Sequence, residues 1–422
     1  MNTKPKAISP PENGGNRRPP NPHERPAKKK KKSRVVITES LRATDAEKHA
    51  TSRSLYGDHA ARISSNIFNI HDRIRQRAYE AVFRSIKGKT VLHLGCGMGL
   101  YGMLAARRGA RHVVAVDSSA VIDAARVVAA QNHLSNLTFL RGRLSEVLAK
   151  LPFPKFDLIL CEWVGAFLVN EPILMDVLYA REHLLAPGGV ICPNRSSLHV
   201  VGVSDYPFTL EVMDFWSNVY GFRMAPMRRL VEQEADVCRV PAANLATSVG
   251  LAHTVTIEEL PSLTDEETAA YATRLDESEP KETEKSDSQA PGVAGKAEEN
   301  PVAQTWTPPA VMRAGFAADF QLKAARNTTL HYLTFYVDAV FTSPVDIGAN
   351  FVIGIRPGGV NAWTEVSVCL RQPLPVMAGE TIVGRLTTST TAMKTTVIKV
   401  WAKTEGKVAA VETEGEYYYR GV

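Results

Sequence analysis

Residues 90–109 read TVLHLGCGMGLYGMLAARRG and predict a buried strand that leads through a glycine-rich turn into a helix. The apolar run from Thr90 to Leu94 has the length of a short strand, and the apolar residues from Leu100 to Arg108 have helical spacing. Three glycines separate the two elements: Gly95, Gly97 and Gly99. Glycine permits backbone conformations closed to other residues and a close approach to a ligand, so this stretch predicts a ligand-binding turn.

The alternation of strand and helix continues on both sides, from residue 52 to about 194. Further helices are predicted at 73–86, 120–131 and 173–184, and further strands at 112–116, 137–140, 156–161 and 190–191. Short apolar strands separated by helices indicate right-handed βαβ units and a parallel, doubly wound sheet. This half of the chain has the pattern of a nucleotide-binding type of domain.

Asp117 follows the second predicted strand, about 20 positions beyond the glycine turn. A carboxylate in this place can accept hydrogen bonds from ribose hydroxyls at the carboxyl edge of the sheet. The alternative is a tight turn in which Asp117 only caps the next helix.

After Pro193 the pattern changes to short β-branched and aromatic stretches separated by turn residues. They lie at 197–203, 254–257, 330–341, 365–370 and 395–401. This pattern predicts an all-β barrel or sandwich.

Residues 214–222, DFWSNVYGF, form an excursion between the first two of these strands. Trp216, Tyr220 and Phe222 are large apolar residues that need a burial partner, either the rest of this chain or another subunit.

The basic charge of the chain is concentrated in its first residues. The net charge is +6, yet residues 1–34 alone hold 11 Lys and Arg against 2 Glu. Residues 1–50 are therefore predicted to be a disordered, Pro-rich basic tail. The tail is either a solvated segment or a contact for RNA, or a nuclear import signal.

A second biased stretch, about residues 264–303, is acidic. Residues 264–300 hold 11 Asp and Glu against 4 Lys and Arg. Because strand-like runs flank it, we expect a disordered insertion within the β half.

Several classes of protein are excluded by composition. No run approaches the ~18 apolar residues of a membrane helix, and MNTKPKAISPPENGG lacks the apolar stretch of a secretory signal. The cysteines are far apart without a CxxC pair: Cys96, Cys161, Cys192, Cys238 and Cys369. We therefore expect no metal site and a reducing, cytoplasmic location, with nuclear entry left open by Lys28 to Lys32.

Residues 161–171, CEWVGAFLVNE, follow a predicted strand and place Glu162 and Glu171 on either side of a hairpin-sized loop. Two carboxylates that converge on one planar cation suit a guanidinium, which offers a fork of donors and stays charged at physiological pH. The loop is a candidate arginine-binding site.

This loop resembles the double-Glu loop of the protein arginine methyltransferases. The glycine turn, YAR at 179–181, LAPGG at 185–189 and WSNVYGF at 216–222 match that family in the same order. The resemblance covers about residues 52–422. It implies a Rossmann-like class I methyltransferase domain at 51–193 and a β-barrel domain at 194–422. It also implies a helical dimerisation arm at about 206–237 that docks on a second subunit.

The resemblance also implies S-adenosylmethionine as methyl donor and peptidyl arginine as acceptor. It assigns Glu162 and Glu171 to catalysis and Arg75 to the donor's carboxylate. Gly95, Gly97, Gly99 and Asp117 are assigned to the rest of the donor. Trp216, Tyr220 and Phe222 are assigned to the subunit interface.

Three positions of the donor site depart from the family. His93 stands where the family has an acidic residue, and an imidazole there is neutral or cationic. Asp117 stands where Glu is usual, and it is a shorter acceptor. Ser145 replaces the acidic residue expected to meet the adenine amino group, although Glu146 is adjacent.

The segments that close the site depart further. In the N-terminal helix Tyr56 is kept, but Gly57, Ala60 and Asn66 replace residues of the family's Tyr-Phe-x-x-Tyr and His pattern. The Thr-His-Trp motif reads Asn361-Ala362-Trp363, and Ala362 cannot replace the His that pairs with the carboxylate matched by Asp72. Loss of a positioned acid or base commonly costs about 10²- to 10⁴-fold in rate.

These departures favour a non-catalytic or severely impaired paralogue that acts as a prozyme. It would activate an active arginine methyltransferase in a heterodimer or heterotetramer, and so serve arginine-rich protein substrates, with weak or absent donor binding of its own. One alternative is an active, divergent arginine methyltransferase whose proton passes to solvent or His59. Another is RNA binding through the basic tail.

Overall fold

The structure, a computed structural model, describes residues 62, 63, 67, 70–273, 310–342, 350–354, 357, 365–392 and 395–420. The basic tail and residues 274–309, which include the rest of the acidic segment, lie outside these residues.

A parallel sheet forms the first half of the described chain. Its strands are β1 (Thr90–Leu94), β2 (His112–Asp117), β3 (Leu137–Arg141), β4 (Phe156–Cys161) and β5 (Leu185–Cys192). Their order is β3-β2-β1-β4-β5, and every neighbouring pair is parallel. All five residues of the central strand β1 are buried. The predicted doubly wound sheet is confirmed.

Helix α1 (Arg73–Val82) precedes β1, and the helices between successive strands are α2 (Leu100–Arg107), α3 (Val121–Gln131), α4 (Leu144–Val147) and α5 (Leu174–His183). The carboxylate of Asp72 caps α1 by accepting hydrogen bonds from the backbone N–H groups of Ile74 and Arg75, both at 3.0 Å. Helix α1 buries Arg75, Ala78, Tyr79 and Val82, which share one helical face. No helix among the described residues is long and apolar enough to cross a membrane.

The second half of the described chain is built from antiparallel strands. They are β6 (Arg195–Val203), β7 (Asp236–Cys238), β8 (Gly250–Thr256), β9 (Ala317–Lys323), β10 (Thr328–Thr342), β11 (Asn350–Gly354), β12 (Glu365–Val376), β13 (Thr381–Ala392), β14 (Thr395–Thr404) and β15 (Glu412–Arg420). One sheet has the order β7-β12-β10-β6-β8, with β11 also on β10, and the other has the order β15-β14-β13-β9. The predicted barrel-like β fold is confirmed.

Between β6 and β7 lie two short helices, α6 (Tyr206–Val212) and α7 (Ala225–Val231), with a 3₁₀ turn at Asp214–Ser217. Asp205 caps α6 by accepting a hydrogen bond from the backbone N–H of Phe208 at 3.1 Å. No residue of α6 or α7 is buried. We call residues 206–231 the arm.

Packing joins the parallel sheet to the β half through the loop after β4. Trp163 is fully buried and its indole N–H donates to the carbonyl of Pro193 at 2.8 Å. The ring of Phe167 contacts Phe335 and Tyr419 of the β half, at centroid distances of 5.4 and 5.8 Å. The loop that carries the two glutamates is therefore fixed from both halves of the chain.

The expectation of disorder from residue 264 onward is wrong for its first ten residues. Residues Asp265–Thr273 form helix α8, and Ala310–Ala314 form helix α9 on the far side of residues 274–309. Thr264 and Glu267 make a capping box, with hydrogen bonds of 3.0 and 3.1 Å. Tyr271 is 4% exposed. One buried aromatic side chain and a capped first turn order a stretch whose composition alone indicates disorder.

Tyr271 anchors α8 on α5, because its ring stacks on Tyr179 and its hydroxyl donates to Asp176 Oδ1 at 2.5 Å. We expect Tyr271→Ala to lower the free energy of unfolding by about 3 kcal/mol or more. Tyr271→Phe, which removes the hydroxyl alone, should cost about 1–2 kcal/mol. Urea unfolding of the full chain measures both.

Glu266→Ala is the matched control, since Glu266 is exposed on the same helix. It should change stability by no more than about 0.5 kcal/mol. Equal stability of wild type and Tyr271→Ala would contradict the docking of α8.

Candidate functional site

The glycine turn lies at the carboxyl end of β1, where ligands bind in doubly wound sheets. Gly95 and Gly99 have φ angles of +64° and +75°. A Cβ on Gly99 would lie 2.7 Å from the ring of Phe139, and a Cβ on Gly95 would lie 2.8 Å from Ile173. The backbone conformation therefore favours glycine at both positions, and at Gly99 the ring of Phe139 also leaves little space for a side chain.

Asp117 lies at the end of β2 and faces the glycine turn. Its Oδ2 accepts a hydrogen bond from Gly97 N–H at 2.7 Å. Its Oδ1 accepts two, from Ser119 N–H at 2.8 Å and Ser119 Oγ–H at 2.6 Å. Three of the four lone pairs of this carboxylate are thus used within the chain, which leaves one for a ribose hydroxyl.

Arg75 and Glu162 form an ion pair, with 3.1 Å between Arg75 Nη1 and Glu162 Oε2. The Arg75 side chain is 2% exposed and that of Glu162 is 30% exposed. Burial, the largest single influence, lowers the pKa of Arg75, but the charges of Glu162, Tyr79, Tyr101 and Asp72 together outweigh it, so the net pKa is raised. The guanidinium assigned to the donor's carboxylate is therefore charged and already holds a carboxylate of its own chain.

Glu162 also accepts a hydrogen bond from the Tyr79 hydroxyl, at 3.0 Å on Oε1. Both oxygens of this glutamate thus have partners on α1. Tyr79 is 1% exposed, and burial followed by the charge of Glu162 raises its pKa, so it remains protonated and donates.

The loop between the two glutamates is a tight hairpin, closed by paired backbone hydrogen bonds between Gly165 and Leu168. Asn170 Oδ1 accepts a hydrogen bond from Phe167 N–H at 3.1 Å and fixes the turn. At the end of the hairpin, Glu171 lies near Tyr419 of β15. Burial and then the charge of Glu171 raise the pKa of Tyr419 to about 12. Glu162 therefore faces α1, while Glu171 interacts with the β half.

His93 is buried in β1 and is 4% exposed. Burial lowers its pKa to about 4, so the imidazole is neutral at physiological pH. Its Nδ1 has no hydrogen-bond partner in the described part of the chain. Of the two charge states open from sequence, the structure supports the neutral one. A neutral imidazole does not attract the positively charged end of a donor as a carboxylate would.

The residues expected near the adenine amino group, Ser145 and Glu146, both lie in α4 and have structural positions there. Ser145 is buried in α4. Glu146 accepts a hydrogen bond from Arg143 N–H at 2.8 Å, which closes the first turn of the same helix. Glu146 is the acidic residue of α4, and its carboxylate is engaged in this cap. Within α4, no other carboxylate could take the place of the acidic residue that Ser145 replaces.

Sequence reasoning missed two tyrosines of the site, Tyr79 and Tyr101. Their rings are stacked, with 3.7 Å between centroids and 13° between planes. The hydroxyl of Tyr101 is buried and has no hydrogen-bond partner among the described residues. The available signal was a large aromatic residue two positions after the last glycine of the turn, where a ligand would approach the helix.

The cavity at the glycine turn has a volume of about 80 Å³. Its lining includes Ile70, Arg75, Tyr79, His93, Gly95, Cys96, Gly97, Met98, Leu100, Tyr101 and Glu162. Cofactor sites of this kind usually enclose about 300 Å³ or more. The residues present therefore do not fit S-adenosylmethionine as they are arranged here, and no reaction step is derived through it.

The closing segments of the site lie outside the described residues. These are Tyr56, Gly57, His59 and Ala60, then Asn66, and Asn361 to Trp363 with Ala362. Their predicted roles stay predictions.

The arm exposes an aromatic surface. Tyr220 is 95% exposed and Phe222 is 72% exposed. Trp216 is half-buried and its indole N–H donates to the Val212 carbonyl at 3.0 Å. Backbone hydrogen bonds of 2.9 Å between Val219 and Phe222 hold the turn that carries Tyr220. Exposed aromatic side chains in a fixed turn are typical of a surface that binds a protein.

The parallel sheet with its glycine turn is the fold of a methyltransferase domain, and residues 91–189 match the family model described as methyltransferase domain. Protein arginine N-methyltransferase 1 of Saccharomyces cerevisiae is 38% identical over 217 residues, which are 50% of this chain and 60% of the yeast protein. Protein arginine N-methyltransferase 1 of Oryza sativa subsp. indica is 29% identical over 342 residues, 80% of this chain and 75% of the rice protein.

Solved structures of arginine methyltransferases are also similar to this chain. A chain of the Trypanosoma brucei PRMT1 enzyme-prozyme heterotetrameric complex with AdoHcy is 46% identical, with a TM-score of 0.72 over 86% of this chain and 100% of that chain. Arabidopsis thaliana protein arginine methyltransferase 10 is 18% identical with a TM-score of 0.62, over 86% of this chain and 99% of that chain, and shares the fold. The chain belongs to the protein arginine methyltransferase family.

Glu162→Gln tests whether the retained glutamate supports the fold. It leaves the buried Arg75 guanidinium without its charged partner, so we expect a loss of about 2 kcal/mol in unfolding free energy. This is below the loss for a fully buried pair because Glu162 is partly exposed. Urea denaturation of the full chain measures the change.

Asp123→Asn is the control, because Asp123 pairs with Arg126 and Arg141 at sites about half exposed. That change should cost less than about 1 kcal/mol. An equal or smaller effect of Glu162→Gln would show that the Arg75 pair does not stabilise the fold.

His93 predicts a pH dependence of stability. Its pKa is lowered to about 4 in the folded chain, so between pH 6.5 and 4 the unfolded chain binds a proton that the folded chain does not. Stability is complete above pH 6.5 and falls by about 1.4 kcal/mol per pH unit below it. His93→Asn should remove that slope from the difference between the two stability curves. Parallel curves would contradict a buried neutral His93.

Proposed function

We propose that this chain is a non-catalytic or severely impaired arginine methyltransferase paralogue that acts as a prozyme. It pairs with an active arginine methyltransferase subunit, stabilises it and raises its activity towards arginine-rich protein substrates. The exposed arm is the observation that carries the proposal.

The donor site supports the first part of the proposal, that this chain is non-catalytic or severely impaired. Arg75 binds Glu162, the carboxylate of Asp117 has one lone pair to spare, and His93 is neutral. Arg75 and most of the Asp117 carboxylate are thus engaged within the chain, and His93 lacks the negative charge that would attract the donor. Together with the substitution at Ala362, this arrangement favours a chain with little or no transfer activity of its own.

The arm supports the second part of the proposal, that this chain pairs with an active subunit and activates it. In the head-to-tail dimers that the family resemblance implies, the arm of one subunit lies on the donor-binding domain of the other. Burying a large aromatic side chain contributes about 1.5–3 kcal/mol, so Tyr220 and Phe222 together can hold a partner. A chain that retains this surface can order an active neighbour without transferring a methyl group.

The similar structure from Trypanosoma brucei is an enzyme-prozyme heterotetramer with AdoHcy. A heteromer with an active paralogue, as a dimer or a dimer of dimers, is the corresponding assembly proposed for this chain. The methyl donor would then be held by the partner.

Activity assays of the full chain, the active paralogue and their mixture test the proposal. We expect no methyl transfer to an arginine-rich peptide by this chain alone, and at least tenfold more activity in the mixture than in the paralogue alone. Turnover by the lone chain that disappears in Glu162→Gln would contradict the proposal and establish the alternative, an active divergent enzyme.

The double change Tyr220→Ser and Phe222→Ser should separate folding from assembly. Both side chains are exposed, so stability should change by no more than about 0.5 kcal/mol for each. The heteromer should weaken by about 100-fold in dissociation constant, since about 3 kcal/mol of apolar contact is lost. Analytical ultracentrifugation and the mixed activity assay measure both effects.

Val408→Ser is the matched control, because Val408 is 56% exposed but lies in the loop between β14 and β15. It should leave both assembly and activation unchanged. Full activation by the double variant would contradict the role of the arm.

A further inference from the structure

We propose that Tyr101 excludes the methyl donor from the cavity at the glycine turn, because its ring fills the space that the donor's methionine half would need. This inference rests on the proposed non-catalytic function and names the residue that blocks the site.

The position of the ring is the first argument. Tyr101 is in the first turn of α2, directly after the glycine turn, and its side chain lines the same cavity as Gly95 and Gly97. The cavity that remains has a volume of about 80 Å³. This is space for a few waters rather than for a cofactor.

The ring is held in place on one face. It stacks on Tyr79, which in turn makes an edge contact with Phe341 at 5.1 Å and donates its hydroxyl proton to Glu162. Tyr79 is 1% exposed, so moving it to make room would disturb close packing. Displacing Tyr101 towards α1 would therefore require Tyr79 to leave its hydrogen bond with Glu162.

The hydroxyl of Tyr101 gives a second, independent observation. It is buried and has no hydrogen-bond partner among the described residues. A side chain kept for hydrogen bonding would have one. Towards the described residues the ring therefore contributes volume and stacking, and a smaller apolar residue could replace it there without loss of a polar contact.

The ion pair of Arg75 adds to the block. Glu162 Oε2 occupies Nη1 of the guanidinium beside this cavity. A donor carboxylate would have to share that cation with Glu162, and two carboxylates in one site repel each other. A donor can compete for Arg75 only if the cavity first has room for it. Tyr101 is therefore the residue to substitute first.

The test is calorimetric titration of the full chain with S-adenosylhomocysteine. Tyr101→Leu removes the ring, and we expect it to bind at least tenfold more tightly than wild type. Tyr101→Phe is the matched control: it keeps the ring and loses only the hydroxyl, so its affinity should equal that of wild type. Tyr101→Met provides a second smaller side chain, and thermal melts show which variants are folded.

Two results would overturn the inference. One is wild-type affinity equal to that of Tyr101→Leu. The other is folded Tyr101→Leu and Tyr101→Met chains that gain no affinity. Both results concern donor affinity alone. The proposed function would instead be overturned by methyl transfer by the wild-type chain. Binding by Tyr101→Leu without methyl transfer is the outcome that supports both.

Discussion

The ion pair between Arg75 and Glu162 is the interaction on which the site depends. It joins α1 to the end of β4, and Tyr79 reinforces it from the same helix face. A guanidinium buried to this degree must keep a charged partner, because an unpaired buried charge is far more costly than the pair itself. Glu162 therefore has a structural role that does not depend on binding a substrate arginine.

Much of the fold follows from periodicity. The glycine turn and β1 have unambiguous apolar patterns, and the parallel sheet matches the predicted segments closely. The prediction was weaker where polar residues are buried. Strand β13 was missed because Thr388 and Thr390 take buried positions that the pattern reserves for apolar residues. Strand β5 begins at Leu185, earlier than predicted, because Pro187, Gly188 and Gly189 resemble a turn.

The sequence predicts where the residues of the site lie, but not which side chains they contact. Sequence motifs place Asp117 and the glycines at one edge of the sheet, as a doubly wound topology requires. They do not show that the Glu162 carboxylate is taken by Arg75 and Tyr79, since Tyr79 and Glu162 are 83 positions apart. Nor does a motif show the stacking of Tyr101 on Tyr79, which depends on how two helices pack beside β1.

The proposed function and the proposed role of Tyr101 share one claim: this chain has a methyltransferase fold in which its own side chains exclude the donor, while the exposed arm binds a partner. Native mass spectrometry of the complex with an active arginine methyltransferase, in saturating S-adenosylhomocysteine, measures this directly. The account predicts one bound molecule for each active subunit and none for this chain. One molecule bound to every subunit, including this one, would contradict it.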